Sequence, residues 1–421
     1  MKELISKHES FTCIIKTNLS LWLLLLVLGW GCNPRETKQN PLIPQGLHKA
    51  ELVLNDSVVL PFIFEWQDRG GEMQMVVRNA DERIVVKEIS FEADTLIIQM
   101  PYYLSYFKMT KSETGMKGFW YNPDRGPDYR IPVYFTFNQS QRFEKRNAPL
   151  FSINNRWKVV FHRDGRDTYG LGEFELDSGI VRGSILTESG DYRYLEGVLD
   201  GDQLKLSTFD GMFAYAFYVR IVAPGQMQGH YYSGHQFSIP WSAMRDDDFA
   251  LRPADTLTKI TTPENHFPFA FSDLNGDTLK HTDTRFIGKA RIVQIMGSWC
   301  PNCIDESKFF KTLYEKYHSQ GLEIVGLTFE RSNVWAEVER PVNKMVNDIG
   351  IPYPVLFAGS HRDFSATLPF IENFVGFPTS FFIDKTGKVR RIHAGFTGPG
   401  TSAYAPYAEE TERFIQDLLA E

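Results

Sequence analysis

The sequence predicts a protein of several domains, with a mostly antiparallel β region followed by an α/β domain. Its 421 residues are too many for one average domain. Between residues 48 and 250, turn signals rich in Gly, Asn and Asp recur at short intervals between alternating apolar runs, which is typical of β-hairpins. From about residue 263, short apolar runs alternate with amphipathic helical patterns, which predicts a mixed or parallel sheet covered by helices.

Composition narrows the classes of function. Aromatic residues make up 14% of the chain, which favours β structure. The net charge is −7 and the longest acidic run is Asp246–Asp248, so the charge pattern gives no reason to expect nucleic-acid binding. A structural zinc site needs four ligands, whereas the C-terminal half of the chain offers only Cys300 and Cys303 together with scattered histidines. We therefore predict no metal site.

Residues 1–31 have the pattern of a secretory signal peptide of the lipoprotein type. Basic residues precede the apolar run Leu21–Leu28, and Gly31 stands directly before Cys32. The Gly-Cys junction resembles a bacterial lipobox, which implies that Cys32 is lipidated, although Gly29 stands where Leu is usual. The alternative is a single-pass anchor, but the apolar stretch 19–30 has only 12 residues and a spanning helix needs about 20.

The predicted signal peptide and lipidation determine which cysteines would remain as free thiols. Residues 32–47 are polar and contain proline, and we expect a flexible tether there. The expected location is the bacterial cell envelope, lipid-anchored to a membrane and facing the periplasm. Cleavage would remove Cys13 and lipidation would occupy Cys32, leaving Cys300 and Cys303 as the free thiols. Because a pair this close in sequence bridges almost no chain, redox chemistry is the better reason for its presence in an oxidising compartment.

The β-rich region, residues 48–250, contains an internal similarity. A shift of 108 residues aligns 87–96 with 195–204 and 131–134 with 239–242. This predicts two related β lobes at 50–137 and 156–245, either two barrels or two halves of one sandwich. A linker at 251–262 and a C-terminal domain at 263–421 follow. We interpret the histidines of this region as surface or core residues rather than metal ligands. We interpret its clustered tyrosines as packing residues rather than the lining of a ligand groove.

The C-terminal domain resembles a known fold and family. The motifs that carry the resemblance are Phe271–Gly276, Trp299–Cys303 with Glu306 beyond it, and Gly376–Asp384. Together they resemble the thioredoxin fold and, within it, the TlpA/ResA-like family of membrane-tethered thiol–disulfide oxidoreductases. The resemblance covers about the last third of the chain. It implies thiol–disulfide exchange with no cofactor beyond a redox-active Cys300–Cys303 disulfide.

The resemblance also implies roles. Cys300 would be the attacking thiolate at a helix N-terminus, where backbone N–H groups stabilise negative sulfur, and Cys303 would resolve the mixed disulfide. Glu306 would handle protons for the pair; the alternative is an acid of the first helical turn interacting with the dipole. Gln294 stands where thioredoxins have a buried acid, and Lys308 where the family commonly has proline.

Substrate contacts are expected on both sides of the pair. Pro378 resembles the cis-proline that faces the cysteines in this fold, and Phe377 would pair its backbone with an extended substrate. Trp299, Pro301 and Thr379 complete the predicted substrate-binding set.

The predicted function is that of a cell-envelope thiol–disulfide oxidoreductase, acting as a reductase of protein disulfides. Its expected partners are a protein substrate, such as an apocytochrome or another envelope protein, and an upstream membrane electron donor. The alternative is a ligand-binding surface lipoprotein, in which the β region does the work and the thioredoxin-like domain is accessory.

Overall fold

A computed structural model describes residues 43–421. The predicted signal peptide, Cys32 and most of the predicted tether lie outside the described residues. Within the described part, no helix is long and apolar enough to cross a membrane.

The first β lobe is one antiparallel sheet of nine strands. Its strands are β1 (Gly46–Asn55), β2 (Val58–Arg69), β3 (Glu72–Asn79), β4 (Glu82–Val86), β5 (Glu88–Glu92), β6 (Thr95–Gln99), β7 (Tyr106–Lys111), β8 (Gly115–Tyr121) and β9 (Arg130–Thr136). Strands adjacent in the chain are neighbours in the sheet, except that β4 and β5, on either side of Lys87, are not paired. The sheet is continuous because β1 pairs with β9. The edge strands β4 and β5 are therefore consecutive in the chain, and the sheet curls into an almost closed barrel.

The second β lobe is a closed barrel. Its strands are β10 (Asn155–Arg163), β11 (Arg166–Asp177), β12 (Ile180–Thr187), β13 (Gly190–Asp191), β14 (Leu195–Asp200), β15 (Gln203–Phe209), β16 (Ala214–Ala223), β17 (Gln226–Ser233) and β18 (Ser238–Arg245). Because β11 pairs with β12 and β10 pairs with β18, eight strands form a ring to which the short β13 is attached. Closure removes the exposed edges of the sheet.

The two lobes repeat the same strand order at the offset seen in the sequence. Val58 begins β2 and Arg166 begins β11, a difference of 108; Thr95 begins β6 and Gln203 begins β15, again 108. Of the two arrangements left open by the sequence, the structure has two barrels with separate cores.

The C-terminal domain is a mixed sheet covered by helices. Its elements are β19 (Lys259–Ile260), β20 (Ala270–Asp273), β21 (Thr278–Lys280), β22 (Ala290–Met296), α1 (Pro301–Tyr317), β23 (Leu322–Glu330), α2 (Trp335–Ile349), β24 (Val355–Ser360), α3 (Phe364–Thr367), β25 (Ile371–Glu372), β26 (Thr379–Ile383), β27 (Val389–Ala394) and α4 (Tyr404–Ala420). The main sheet has the order β21-β20-β24-β23-β22-β26-β27, with β22 parallel to β23 and antiparallel to β26. Every residue of β22 is buried, as expected for a central strand covered on both faces. The predicted fold class is confirmed.

Two predicted segments end differently in the structure. The tether was expected to reach residue 47, but Ile43 is already buried in the first core and β1 begins at Gly46. The linker was expected at 251–262, but β19 lies inside that range and pairs with β25 of the C-terminal domain. A strand of two residues has no periodicity that a sequence pattern could reveal, so its pairing is decided by the tertiary fold.

Candidate active site

The cysteine pair lies where the central strand β22 gives way to helix α1. Cys300 is the N-cap of α1, and the backbone N–H of Cys303 donates to its Sγ over 3.2 Å. Pro301 occupies the first helical position, where no N–H is needed. The two cysteines form a disulfide with Cα atoms 5.2 Å apart. In the reduced state, the same N–H group and the helix dipole would stabilise a thiolate at Cys300.

A second loop faces the pair from the start of β26. The Phe377–Pro378 peptide bond is cis, as the sequence predicted. The carbonyl oxygen of Phe377 lies 3.6 Å from Cys300 Sγ, and the hydroxyl of Thr379 donates to the Gly376 carbonyl over 2.8 Å. The predicted contacts therefore come from two separate parts of the chain that meet at Cys300.

Trp299 directly precedes Cys300 and packs against the loop that carries the cis-proline. Its ring centroid is 5.4 Å from that of Phe377, in an edge-on arrangement. Its indole N–H donates to the Phe329 carbonyl over 3.0 Å, which fixes the orientation of the ring. Of the predicted site residues within the described chain, all lie around the disulfide except Glu306, which lies behind it in the core.

Glu306 is fully buried one turn beyond Cys303. Its carboxylate accepts hydrogen bonds from the Gln294 amide and the Ser380 hydroxyl, both over 2.9 Å. The Gln294 carbonyl in turn accepts from the Ser307 hydroxyl over 3.2 Å. Burial raises the pKa of Glu306 to about 8, although these hydrogen bonds oppose the shift. Glu306 is not in the first turn of α1, so the helix-dipole alternative does not describe it.

Glu306→Gln should flatten the dependence of stability on pH. In the folded protein Glu306 keeps its proton up to a pKa of about 8, whereas the ordinary pKa of a glutamate is 4.5. Between these values only the unfolded chain releases the proton, so the wild-type free energy of unfolding falls as pH rises. The variant loses this contribution and should gain stability relative to wild type at pH 7 to 8. Denaturant titrations of the oxidised protein across this pH range measure the effect.

Glu315→Gln, on the exposed side of the same helix, is the matched control. Its stability should follow the wild-type curve through the same pH range. Parallel curves for wild type and Glu306→Gln would contradict a buried, protonated Glu306.

The sequence did not predict that the second barrel covers this site. The segment Glu188–Arg193, which contains β13, lies over the cysteine pair, and we refer to it as the lid. A cavity of about 250 Å³ remains between the lid and Cys300. Cys300 is only 5% exposed and Cys303 is fully buried. The cavity is lined by residues of the second barrel and of the C-terminal domain. They are Thr187, Ser189, Gly190, Asp191, Tyr192, Arg193, Phe213, Tyr215, Trp299, Cys300, Pro301, Asn302 and Phe377.

Arg193 at the end of the lid joins three parts of the molecule. Its guanidinium pairs with Glu82 of the first barrel and with Asp305 of α1, two residues beyond Cys303. Its Nε lies 3.7 Å from the Asp210 carboxylate of the second barrel, and Nη1 donates to the Pro301 carbonyl over 3.4 Å. This contact network connects both barrels to the start of α1.

The charges of this cluster are nearly out of contact with water. Burial would lower the pKa of Arg193, but the attraction of Asp305, Glu82 and Asp210 raises it well above its ordinary value. Burial raises the pKa of Asp210 to about 6 in spite of the nearby guanidinium. Nothing in the sequence distinguishes Arg193 from the many surface arginines, since Glu82 and Asp305 each lie more than 100 residues from it in the chain.

Comparison with known proteins bears on the C-terminal domain. A family model described as Redoxin matches residues 257–406. The thiol-disulfide oxidoreductase ResA of Geobacillus kaustophilus is 31% identical over 150 residues, which covers 36% of this chain and 74% of that protein. This chain belongs to the ResA family of thiol-disulfide oxidoreductases.

Other relatives match a similar share of this chain. ResA of Geobacillus thermodenitrificans is 34% identical over 128 residues, covering 30% of this chain and 66% of that protein. The chain spans 62% to 66% of the length of the first curated relatives it matches. Among solved structures, a putative thiol:disulfide interchange protein DsbE from Chlorobium tepidum is 22% identical, with a TM-score of 0.30 and coverage of 38% of this chain and 99% of that chain. The two barrels lie outside the Redoxin match.

Proposed function

We propose that this protein is a thiol–disulfide reductase of the bacterial cell envelope, acting on protein disulfides through Cys300 and Cys303. The observation that carries the proposal is the position of Cys300. Its sulfur caps helix α1, accepts the Cys303 N–H and lies 3.6 Å from the carbonyl before the cis-proline. Membership of the ResA family supports the same chemistry.

The reaction is a two-step exchange. The Cys300 thiolate attacks one sulfur of the substrate disulfide, forming a mixed disulfide and releasing the other substrate sulfur as a thiolate. The Cys303 thiolate then attacks Cys300 Sγ, which forms the Cys300–Cys303 disulfide and releases the second substrate thiol. The substrate gains two electrons and the protein loses two, so a dithiol donor must reduce the pair again. No cofactor takes part other than the disulfide itself.

The surrounding residues have distinct roles in this proposal. Trp299, Pro301, Phe377, Pro378 and Thr379 form the surface on which an extended substrate lies beside Cys300. Glu306, buried behind the pair with a pKa of about 8, exchanges the proton that Cys303 must lose before it attacks.

The location and partners follow from the leader and the chemistry. A lipid on Cys32 would hold the protein at a membrane surface facing the periplasm. The substrate would be an apocytochrome or another envelope protein with oxidised cysteines. A membrane electron donor would reduce the pair after each turnover, because the periplasm supplies no thiol pool.

The reductase activity can be tested directly on the purified protein. After reduction with dithiothreitol and its removal, the protein should reduce one equivalent of a model disulfide and become oxidised itself. In cells, wild type should fractionate with membranes and Cys32→Ala should become soluble. A prereduced protein that leaves a model disulfide intact would contradict the reductase proposal; membrane retention of Cys32→Ala would contradict the lipid anchor alone.

A ligand-binding role of the β region is the second candidate. A cavity of about 480 Å³ lies where the two barrels and the loop before α4 meet, which is within the range of small-molecule sites. Its lining includes Arg156 and Arg182 as well as Glu173, so a polar ligand would fit it. Under this hypothesis, Cys300→Ser would leave the biological function of the protein intact.

A further inference from the structure

The lid, Glu188–Arg193, fills space beside the cysteine pair. A protein substrate would have to enter that same space to reach Cys300. It approaches the C-terminal domain closely at two glycines. A Cβ at Gly376, in the cis-proline loop, would lie 3.2 Å from the Ser189 side chain. A Cβ at Gly395, after β27, would lie 2.7 Å from the Glu188 carbonyl oxygen. Side chains at either glycine would push the lid away, so the close approach depends on their absence.

Polar contacts hold the lid at both ends. Asp191 accepts the Gly398 N–H with its carboxylate over 2.5 Å, and its carbonyl accepts from the Asn302 amide over 3.4 Å. Arg193, the last residue of the lid, adds its buried ion pairs with Glu82 and Asp305. At the start of the lid, Arg252 donates two hydrogen bonds of 2.6 Å to Glu188 on the surface. Through Asn302, the lid is thus attached to the first turn of α1, between the two cysteines.

The cavity under the lid has aromatic walls. Phe213 and Tyr215 of the second barrel stack with ring centroids 5.0 Å apart, and Tyr192 lies 5.3 Å from Tyr215. Phe377 and Trp299 close the opposite wall beside Cys300. A volume of about 250 Å³ is below the roughly 300 to 1,000 Å³ of small-molecule sites. It has room for one apolar or aromatic side chain next to the reacting sulfur.

We propose that the lid and these aromatic walls select the substrate: a cysteine on an unfolded chain segment, next to an apolar or aromatic residue. A disulfide on the surface of a folded protein is excluded, because the lid meets the bulk of that protein before the sulfur atoms meet. This inference rests on the proposed reductase function and assigns substrate selection to the second barrel. The exchange itself is unchanged: the substrate disulfide is reduced, and Cys300 and Cys303 are oxidised.

The test compares matched mixed disulfides in single turnovers of the prereduced protein. One cysteine–glutathione disulfide is placed in a linear peptide with Phe next to the cysteine, a second in the same peptide with Ser instead. A third is placed on an exposed cysteine of a folded carrier protein. Rates are expressed relative to that of bis(2-hydroxyethyl) disulfide, which is small enough to pass the lid. The Phe peptide should react about tenfold faster than the Ser peptide, and the folded carrier about tenfold or more slower than either peptide.

Two kinds of variant distinguish the effect of the lid on the rates from the effect of the aromatic walls. Asp191→Ala releases the lid from Gly398 and should raise the relative rate of the folded carrier towards that of the Ser peptide. Arg252→Ala frees the exposed start of the lid and leaves the buried contacts in place. It should also raise the rate of the folded carrier relative to the Ser peptide, but by a smaller factor than Asp191→Ala. Phe213→Ala should reduce the preference for the Phe peptide. Asp202→Ala, which removes only a surface ion pair with Arg220 on the same barrel, should behave as wild type.

The outcomes are distinguishable. Equal wild-type rates for folded carrier and peptides would overturn the inference alone, as would lid variants that leave the ratio unchanged. A wild-type protein that fails to reduce bis(2-hydroxyethyl) disulfide would overturn the proposed reductase function, and the inference with it.

Discussion

Cys300→Ser should reduce the rate of disulfide reduction to the uncatalysed background. Serine keeps the shape of the side chain but has a hydroxyl that stays protonated at neutral pH, and it cannot form a disulfide. The N–H of Cys303 and the dipole of α1 would then have no anionic sulfur to stabilise. The measurement is reduction of a model disulfide, with the oxidation state of the variant followed by thiol labelling.

Cys303→Ser should behave differently, although it changes the same pair. Cys300 can still attack, but nothing resolves the mixed disulfide, so the substrate stays covalently attached. We expect a burst of one equivalent of released thiol and a reducible protein–substrate adduct, which also captures natural partners from envelope extracts. If the two variants were equally inactive and neither formed an adduct, the assignment of Cys300 as the attacking residue would be wrong.

Arg193→Leu should strongly destabilise the fold, because Arg193 is the cation at the centre of a buried ion-pair cluster. Leucine fills a similar volume but leaves Glu82, Asp210 and Asp305 facing one another without a cation. Removing one partner of a buried ion pair costs about 3–5 kcal/mol. The free energy of unfolding, from denaturant titration at pH 8, measures the loss.

The matched control is Arg220→Leu on the same barrel. Arg220 pairs with Asp202 over 3.0 Å but is 63% exposed, and an exposed pair contributes at most about 1 kcal/mol. The loss in Arg193→Leu should also shrink at pH 5. Burial already raises the pKa of Asp210 to about 6, and loss of the guanidinium should raise it further. At pH 5 Asp210 is therefore protonated in the folded variant, which removes its repulsion with Glu82 and Asp305. A loss that is the same at pH 5 and pH 8 would contradict this account.

Local patterns were enough to predict much of the fold. The strand–helix alternation after residue 263 and the helix start at Pro301 depend on neighbours within a few residues. The cis bond at Pro378 was predicted from the resemblance to the thioredoxin fold. The repeat was visible as a weak self-similarity, because counterpart strands such as β6 and β15 share an apolar alternation. The Lys259–Ile260 strand was missed, since two residues show no periodicity.

The amino-acid sequence by itself determined the chemistry: a cysteine pair at a helix N-terminus, a proline loop to face it and a glutamate one turn on. The tertiary structure alone decided how exposed that chemistry is. Arg193 lies more than 100 residues before Asp305 in the chain, and no local pattern encodes which distant carboxylates surround a guanidinium. Packing of the second barrel against α1 brings them together, and that packing places the lid over Cys300. The physical reason is that burial and ion pairing depend on contacts between remote segments, whereas helix caps and turns are set by adjacent residues.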